Sequence, residues 1–304
     1  MKQEIDPRFQ QVLKRVESYC LDHENPDNVS RYAHYFREGY DAFGLTEEEV
    51  HALRDELVDT LDLSAEETAE LGWHLFRSGK YEYGTIAILL LKEKKEQFTK
   101  EVFTWVKRWF DKGVENWAHS DMLCNIITPA FLEQEVVEIG DFDSWRDSES
   151  KWTRRAVPVT LLVLRKTAEP QELLDYLDPM MMDEARVVHQ GLGWFLRELW
   201  KLHNEPVEEF LAKHKDSCAR LIIQYATEKM KTETKESFRR TKSHKPQPVH
   251  PHKPHQAAPR KPAHDKPVAQ QHGPRKPPLN KHRLEPKVTP PPKKKKLKPN
   301  KVDA

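Results

Sequence analysis

VHQGLGWFLRELWKL, residues 188–202, decides the fold class. At about 100° of rotation per helical residue, Val188, Leu192, Phe195, Leu196 and Leu199 gather on one face. Trp194 falls nearly opposite, beside Gln190, Arg197, Glu198 and Lys201, with Val187 its one apolar neighbour. A large aromatic therefore stands where amphipathicity alone would place solvent. Laid on a helix in the same way, residues 114–127 bring Leu123, Ile126 and Ile127 together, while Trp117 and Asp121, spaced i,i+4, share a different stripe. An indole and a carboxylate stand side by side on a surface.

Outward from these two segments the first 236 residues read as helix after helix. Apolar residues recur at three- and four-residue spacing in 9–20, 50–61, 69–76, 85–91, 102–110, 156–164, 173–177, 188–202 and 218–226. Strand alternation is nowhere sustained. Capping boxes at Thr46-x-x-Glu49 and Ser64-x-x-Glu67 mark starts, and Asn25-Pro26, Gly44, Gly79, Gly113, Gly140 and Pro170 mark breaks. Short connections fit either a bundle or stacked helical hairpins. Helix pairs recurring at roughly 35–45 residues favour an all-α, HEAT-like solenoid.

The formal net charge of +1 hides a division. Residues 1–236 carry an excess of about fifteen acidic charges, and residues 237–304 an excess of about sixteen basic ones. That tail, dense in Pro, Lys and His, is too poor in large apolar residues to offset the entropy of ordering, so it is expected to be disordered. Its cations would neutralise phosphates regardless of sequence, aiding nonspecific contact with nucleic acid. Its other reading is a solubilising appendage. Lys293–Lys296 resemble a nuclear import signal, and the PHPHKPH run carries histidines without a folded cage for a metal. Cys20, Cys124 and Cys218 lie far apart without metal-ligand spacing, as expected of unpaired thiols in a reducing compartment. The N-terminus lacks an apolar signal core, and the longest apolar run, 85–91, is far short of a membrane span. A soluble intracellular monomer without membrane contact is expected.

Four segments carry a family resemblance: NWAHSDMLCNIITPAFL (116–132), KWTRRAVPVTLLVL (151–164), HQGLGWFLREL (189–199) and RLIIQYATEKM (220–230). In this order and spacing they resemble the HEAT-like-repeat DNA alkylation repair proteins, the AlkD-type glycosylase family, over nearly all of residues 1–232. The resemblance implies a right-handed, C-shaped helical solenoid with duplex DNA on its concave face, followed here by the tail. In that family a Trp-x-x-x-Asp pair, an Arg before Ala at a later helix start and a Gly-Trp-x-x-Arg-Glu segment form the site. These correspond to Trp117 and Asp121, to Arg155 and to Trp194. The family's glycosylases tend to have an acidic residue after the first tryptophan and an apolar one before the aspartate, where this chain has Ala118 and Ser120.

The residue types suit that chemistry. A purine alkylated at N3 or N7 is cationic, so it leaves with little acid assistance and its sugar becomes oxocarbenium-like. Asp121 would stabilise that cation and orient water, and Trp117 and Trp194 would wall the sugar and lesion, each indole attracting a cation by roughly 0.5–2 kcal/mol. Neither metal nor other cofactor is required. Arg155 would hold a backbone phosphate. Arg154, adjacent in the helix, cannot point the same way, so one of the two faces DNA and the other is a surface charge or meets an acidic partner. Arg197 and Lys201 are further candidate DNA contacts. The aromatic run Phe103, Trp105, Trp109 and Phe110 reads as core, and His119 as structural. The protein is expected in the cytoplasm with the nucleoid if bacterial, in the nucleus if eukaryotic. A noncatalytic binder of damaged or branched DNA and a protein-binding scaffold remain as alternatives.

Overall fold

The computed structural model describes residues 5–240, which form one compact unit. Helices α1 (Pro7–Asp22) and α2 (Pro26–Ala33) begin on proline behind Asp6 and Asn25, whose side chains accept from first-turn backbone N–H groups. Both expected capping boxes close at the starts of α3 (Glu47–Thr60) and α4 (Ala65–Phe76). There follow α5 (Tyr81–Lys92), α6 (Lys100–Lys112), α7 (Trp117–Ile126), α8 (Thr128–Glu133), α9 (Asp143–Arg146) and α10 (Lys151–Thr160). The body ends with α11 (Pro170–Leu177), α12 (Arg186–Trp200), α13 (Asn204–His214), α14 (Arg220–Ala226) and α15 (Thr232–Ser237). Among the described residues there is no strand, and no helix is long and apolar enough to cross a membrane.

The helix expected over 156–164 starts earlier, at Lys151, and gives way at Leu161 to a 3-10 turn running to Lys166. Pro158 lies inside it and removes a rung near its end, where the tighter turn takes over. Helix α2 was not expected from apolar spacing, and it buries no residue: its cap and proline start define it. The folded body also runs a few residues past the expected boundary at 236. Helix α15 ends at Ser237, Phe238 is 5% exposed, and Arg240 Nη2 donates to the Cys218 carbonyl at 2.6 Å. The rest of the expected tail, with its lysine run and histidines, lies outside the described residues.

Packing is neighbour on neighbour. Helices α4, α6, α10, α12 and α14 stack each on the next, while α5 packs on α3 and α7, as the solenoid expectation requires. Side-chain hydrogen bonds between layers join residues one helical pair apart. Trp109 Nε1 donates to the Ala69 carbonyl 40 residues away, Thr153 to Asp111 across 42, and Gln190 to Tyr225 across 35. Trp109, Phe103 and Phe110 are buried and Trp105 packs against them, as the aromatic run predicted.

Close approach explains the glycines of the opening segment. A Cβ at Gly191 would sit 3.3 Å from Arg155 Cγ, and one at Gly193 would overlap Tyr225 Cβ. Two helical glycines cost about 1 kcal/mol each in propensity. In return α10 and α14 sit directly against the face of α12 that neighbours Trp194.

Candidate functional site

Asn116 caps α7, its side chain accepting from the His119 amide at 2.8 Å, and so sets Trp117 as the first helical residue and Asp121 one turn on. His119, between them in sequence, turns inward: it is 3% exposed, stacks on Tyr81 at 4.7 Å and contacts the Tyr81 carbonyl through Nε2 at 3.0 Å. Burial pushes its pKa down to about 4, so it is a neutral structural group. The i,i+4 pair is left facing outward.

It faces an open cleft of about 620 Å³ whose lining includes Trp117, Asp121, Arg155, Gln190, Trp194 and Arg197. Helix α12 supplies one stripe of it. Arg186, Gln190, Trp194 and Arg197 recur at three- and four-residue steps on the side opposite buried Val188, Leu192, Phe195 and Leu199. Five cations line the cleft, Arg37, Lys151, Arg155, Arg186 and Arg197, against two carboxylates, Glu38 and Asp121. No carboxylate from the acidic stretch 47–70 reaches it. A body that is acidic on average is thus locally basic in this cleft.

Arg155 and Asp121 are paired in the lining of the cleft. Nε and Nη2 of Arg155 donate to Asp121 Oδ1 at 3.0 and 2.8 Å, Nη2 also to Oδ2 at 3.0 Å, and Nη1 to the Val187 carbonyl at 2.8 Å. Every guanidinium nitrogen is engaged within the protein, and the side chain is 8% exposed against 23% for Asp121. Burial raises the Asp121 pKa, and the charge and hydrogen bonds of Arg155 oppose that rise. The arginine thus keeps a half-buried carboxylate available for ionisation and fixes its direction.

The other predicted contacts divide. Arg154 points away from the cleft: it pairs with Asp183 at 2.6 Å and donates to the Ser148 carbonyl. Both members of the adjacent pair therefore meet acidic partners. Arg197 lines the cleft while paired with Glu198 and Glu228. Lys201 is held by Glu198 at 2.7 Å and does not line it. Trp194 is half-buried there, and Trp117 is 40% exposed.

Sequence reasoning missed the segment between α2 and α3. Trp117 Nε1 donates to the Tyr35 carbonyl 82 residues away, its ring stacks on Phe36 at 5.7 Å, and Lys151 pairs with Glu38 across 113 residues. Glu82, 2% exposed, anchors that segment's far end by accepting from the Phe43 and Gly44 amides at 3.0 and 2.7 Å. Arg37 and Arg186 were also missed. Both are exposed, line the cleft and have no side-chain partner among the described residues. Arg186 was reachable by extending the Trp194 stripe back two turns; nothing periodic marks Arg37.

The family described as DNA alkylation repair enzyme matches residues 20–230. Among solved structures, a predicted DNA alkylation repair enzyme from Enterococcus faecalis is similar at 18% identity and a TM-score of 0.57, over 69% of this chain and 98% of that one. Two Streptococcus mutans proteins are also similar. For smu.31 of strain UA159 the identity is 20% and the TM-score 0.46, over 61% of this chain and 98% of that one. For AlkD2 they are 17% and 0.46, over 66% and 97%. No curated protein matches the chain. The Enterococcus structure supports the shared helical fold. The family match spans most of the folded body: the chain belongs to the DNA alkylation repair enzyme family, and its work is DNA repair.

Proposed function

We propose that this protein is a monofunctional DNA glycosylase that hydrolyses the N-glycosidic bond of N3- or N7-alkylated purines in duplex DNA. One observation carries the reading: a carboxylate held by Arg155 lies in the same open, locally basic cleft as two tryptophans from different helical layers. The alkylated base already bears the positive charge that makes it a leaving group. As the bond lengthens, charge moves onto the sugar, where the Asp121 carboxylate stabilises it and the indoles of Trp117 and Trp194 favour it through their faces. Water then adds at the anomeric carbon and loses its proton, and the base departs neutral. Asp121, Trp117 and Trp194 are the catalytic residues, and Arg155 is a positioning residue.

The phosphate contact passes to other groups. With Arg155 engaged by Asp121, Arg37 and Arg186, which have no side-chain partner among the described residues, serve as phosphate ligands in the cleft, and Arg197 lies farther along the Arg186 stripe. A noncatalytic DNA binder is the second reading, favoured by the engagement of Trp117 with Tyr35 and Phe36. Incubation with duplexes bearing N7-methylguanine and N3-methyladenine separates the two. Released free base is expected; tight binding with no release from either lesion would give the second reading its support.

A further inference from the structure

A second cleft, of about 600 Å³, opens near the end of the described chain. Among the described residues its charged lining is Lys215, Arg220, Lys235, Arg239 and Arg240, with Phe238 among the apolar residues and no carboxylate. It lies on the other side of α14 from the first. Arg220, Ile223 and Gln224 fall within one arc of that helix at about 100° per residue, while Tyr225, which lines the first cleft, falls on the opposite arc.

The cations are held in place without being neutralised. Lys215 Nζ donates to the Ser237 carbonyl at 3.1 Å, Lys235 Nζ to the Glu228 carbonyl at 2.9 Å and Arg240 Nη2 to the Cys218 carbonyl at 2.6 Å. These are backbone partners carrying no net charge. Arg239 alone has an ion pair, an exposed one with Glu236 at 3.2 Å, and Arg220 has no side-chain partner among the described residues. Like charges gathered in one concavity repel, and low-dielectric walls focus their field. In a body with an acidic surplus, such a concentration fits a polyanion. Successive phosphates, one charge per roughly 1.7 Å of duplex axis, can engage five cations where a single anion cannot. The sequence beyond Arg240 has the same sign of charge, so it is not complementary to the cleft.

We propose that this second cleft binds the sugar–phosphate backbone of DNA flanking the lesion. The inference rests on the DNA-binding part of the reading above and not on base excision. It makes the α14–α15 region a second point of attachment that fixes how the duplex lies across the first cleft.

The test uses the full chain and a fluorescently labelled lesion-free duplex, with affinity measured by anisotropy over a salt titration. Arg220→Gln is compared with Lys213→Gln, an exposed lysine outside both clefts that removes the same charge. Each lost phosphate contact lowers the log–log salt slope by about 0.9. The affinity lost on a fourfold rise in salt should therefore shrink by about 3.5-fold for Arg220→Gln and stay at the wild-type value for Lys213→Gln. Arg239→Gln should repeat the Arg220 result, and thermal melts check that the folds persist. Equal effects of Arg220→Gln and Lys213→Gln would assign DNA attraction to diffuse charge and overturn the proposal. So would wild-type slopes in both cleft variants. Base release is read separately, so failure of the glycosylase reading leaves this result interpretable.

Discussion

Replacing Arg155 by glutamine separates a positioning residue from a phosphate ligand. The change removes a cation 2.8 Å from Asp121 and the donor to the Val187 carbonyl. Breaking a buried ion pair costs about 3–5 kcal/mol. Asp121 keeps 23% exposure and can rehydrate, so about 2 kcal/mol is expected, a fall in Tm of roughly 4–8 °C for a body of this size. Burial already pushes the Asp121 pKa up and Arg155 opposes it, so without the arginine the pKa climbs further. Catalysis needs the ionised form, which prevails above that pKa, so the acid limb of single-turnover base release should move to higher pH. At neutral pH the rate should fall about ten- to a hundredfold from protonation and misplacement together, recovering in part as pH rises. The salt slope of DNA binding should not change. An unmoved pH profile with a slope reduced by about 0.9 would refute the reasoning and make Arg155 a phosphate ligand.

Three further outcomes test the surrounding structure. The Ser120 hydroxyl is fully buried without a hydrogen-bond partner, so Ser120→Ala should raise stability by about 1 kcal/mol in denaturant titration. His119 has its pKa pushed from 6.5 down to about 4, so its neutral burial stabilises fully above 6.5 and is lost as pH falls towards 4, where the unfolded chain has already taken up the proton. That window amounts to about 3 kcal/mol, and His119→Gln should flatten the fall of Tm across it. A Cβ at Gly72 would overlap the Trp109 ring, itself 0% exposed, so Gly72→Ala should cost about 3 kcal/mol in the same titration.

The helical layers were legible in the sequence because each buries one stripe at 3.6-residue spacing, and the two capping boxes close where Thr46–Glu49 and Ser64–Glu67 announced them. The site was legible on the same principle. Trp117, Asp121 and Trp194 stood on stripes that amphipathicity did not require, and all three line one cleft. Partnership was harder to read. Arg154 and Arg155 are neighbours in the chain, yet Asp183 and Asp121, 29 and 34 residues away, determine where each points. Arg37 comes from a segment fixed by long-range bonds, Trp117 to Tyr35 and Lys151 to Glu38, which leave no periodic trace. Gly191 and Gly193 lower helix propensity, and only the packing of Arg155 and Tyr225 against them accounts for their place in α12.

The central claim is that the Asp121 carboxylate stabilises the departing sugar cation, and single-turnover release of N7-methylguanine from duplex DNA tests it most directly. Asp121→Asn keeps the shape and an acceptor for Arg155 but removes the charge. Electrostatic contributions of this kind are worth roughly 3–4 kcal/mol in the barrier, so release should fall by about two orders of magnitude or more while DNA affinity is retained. A variant releasing base at the wild-type rate would contradict the account.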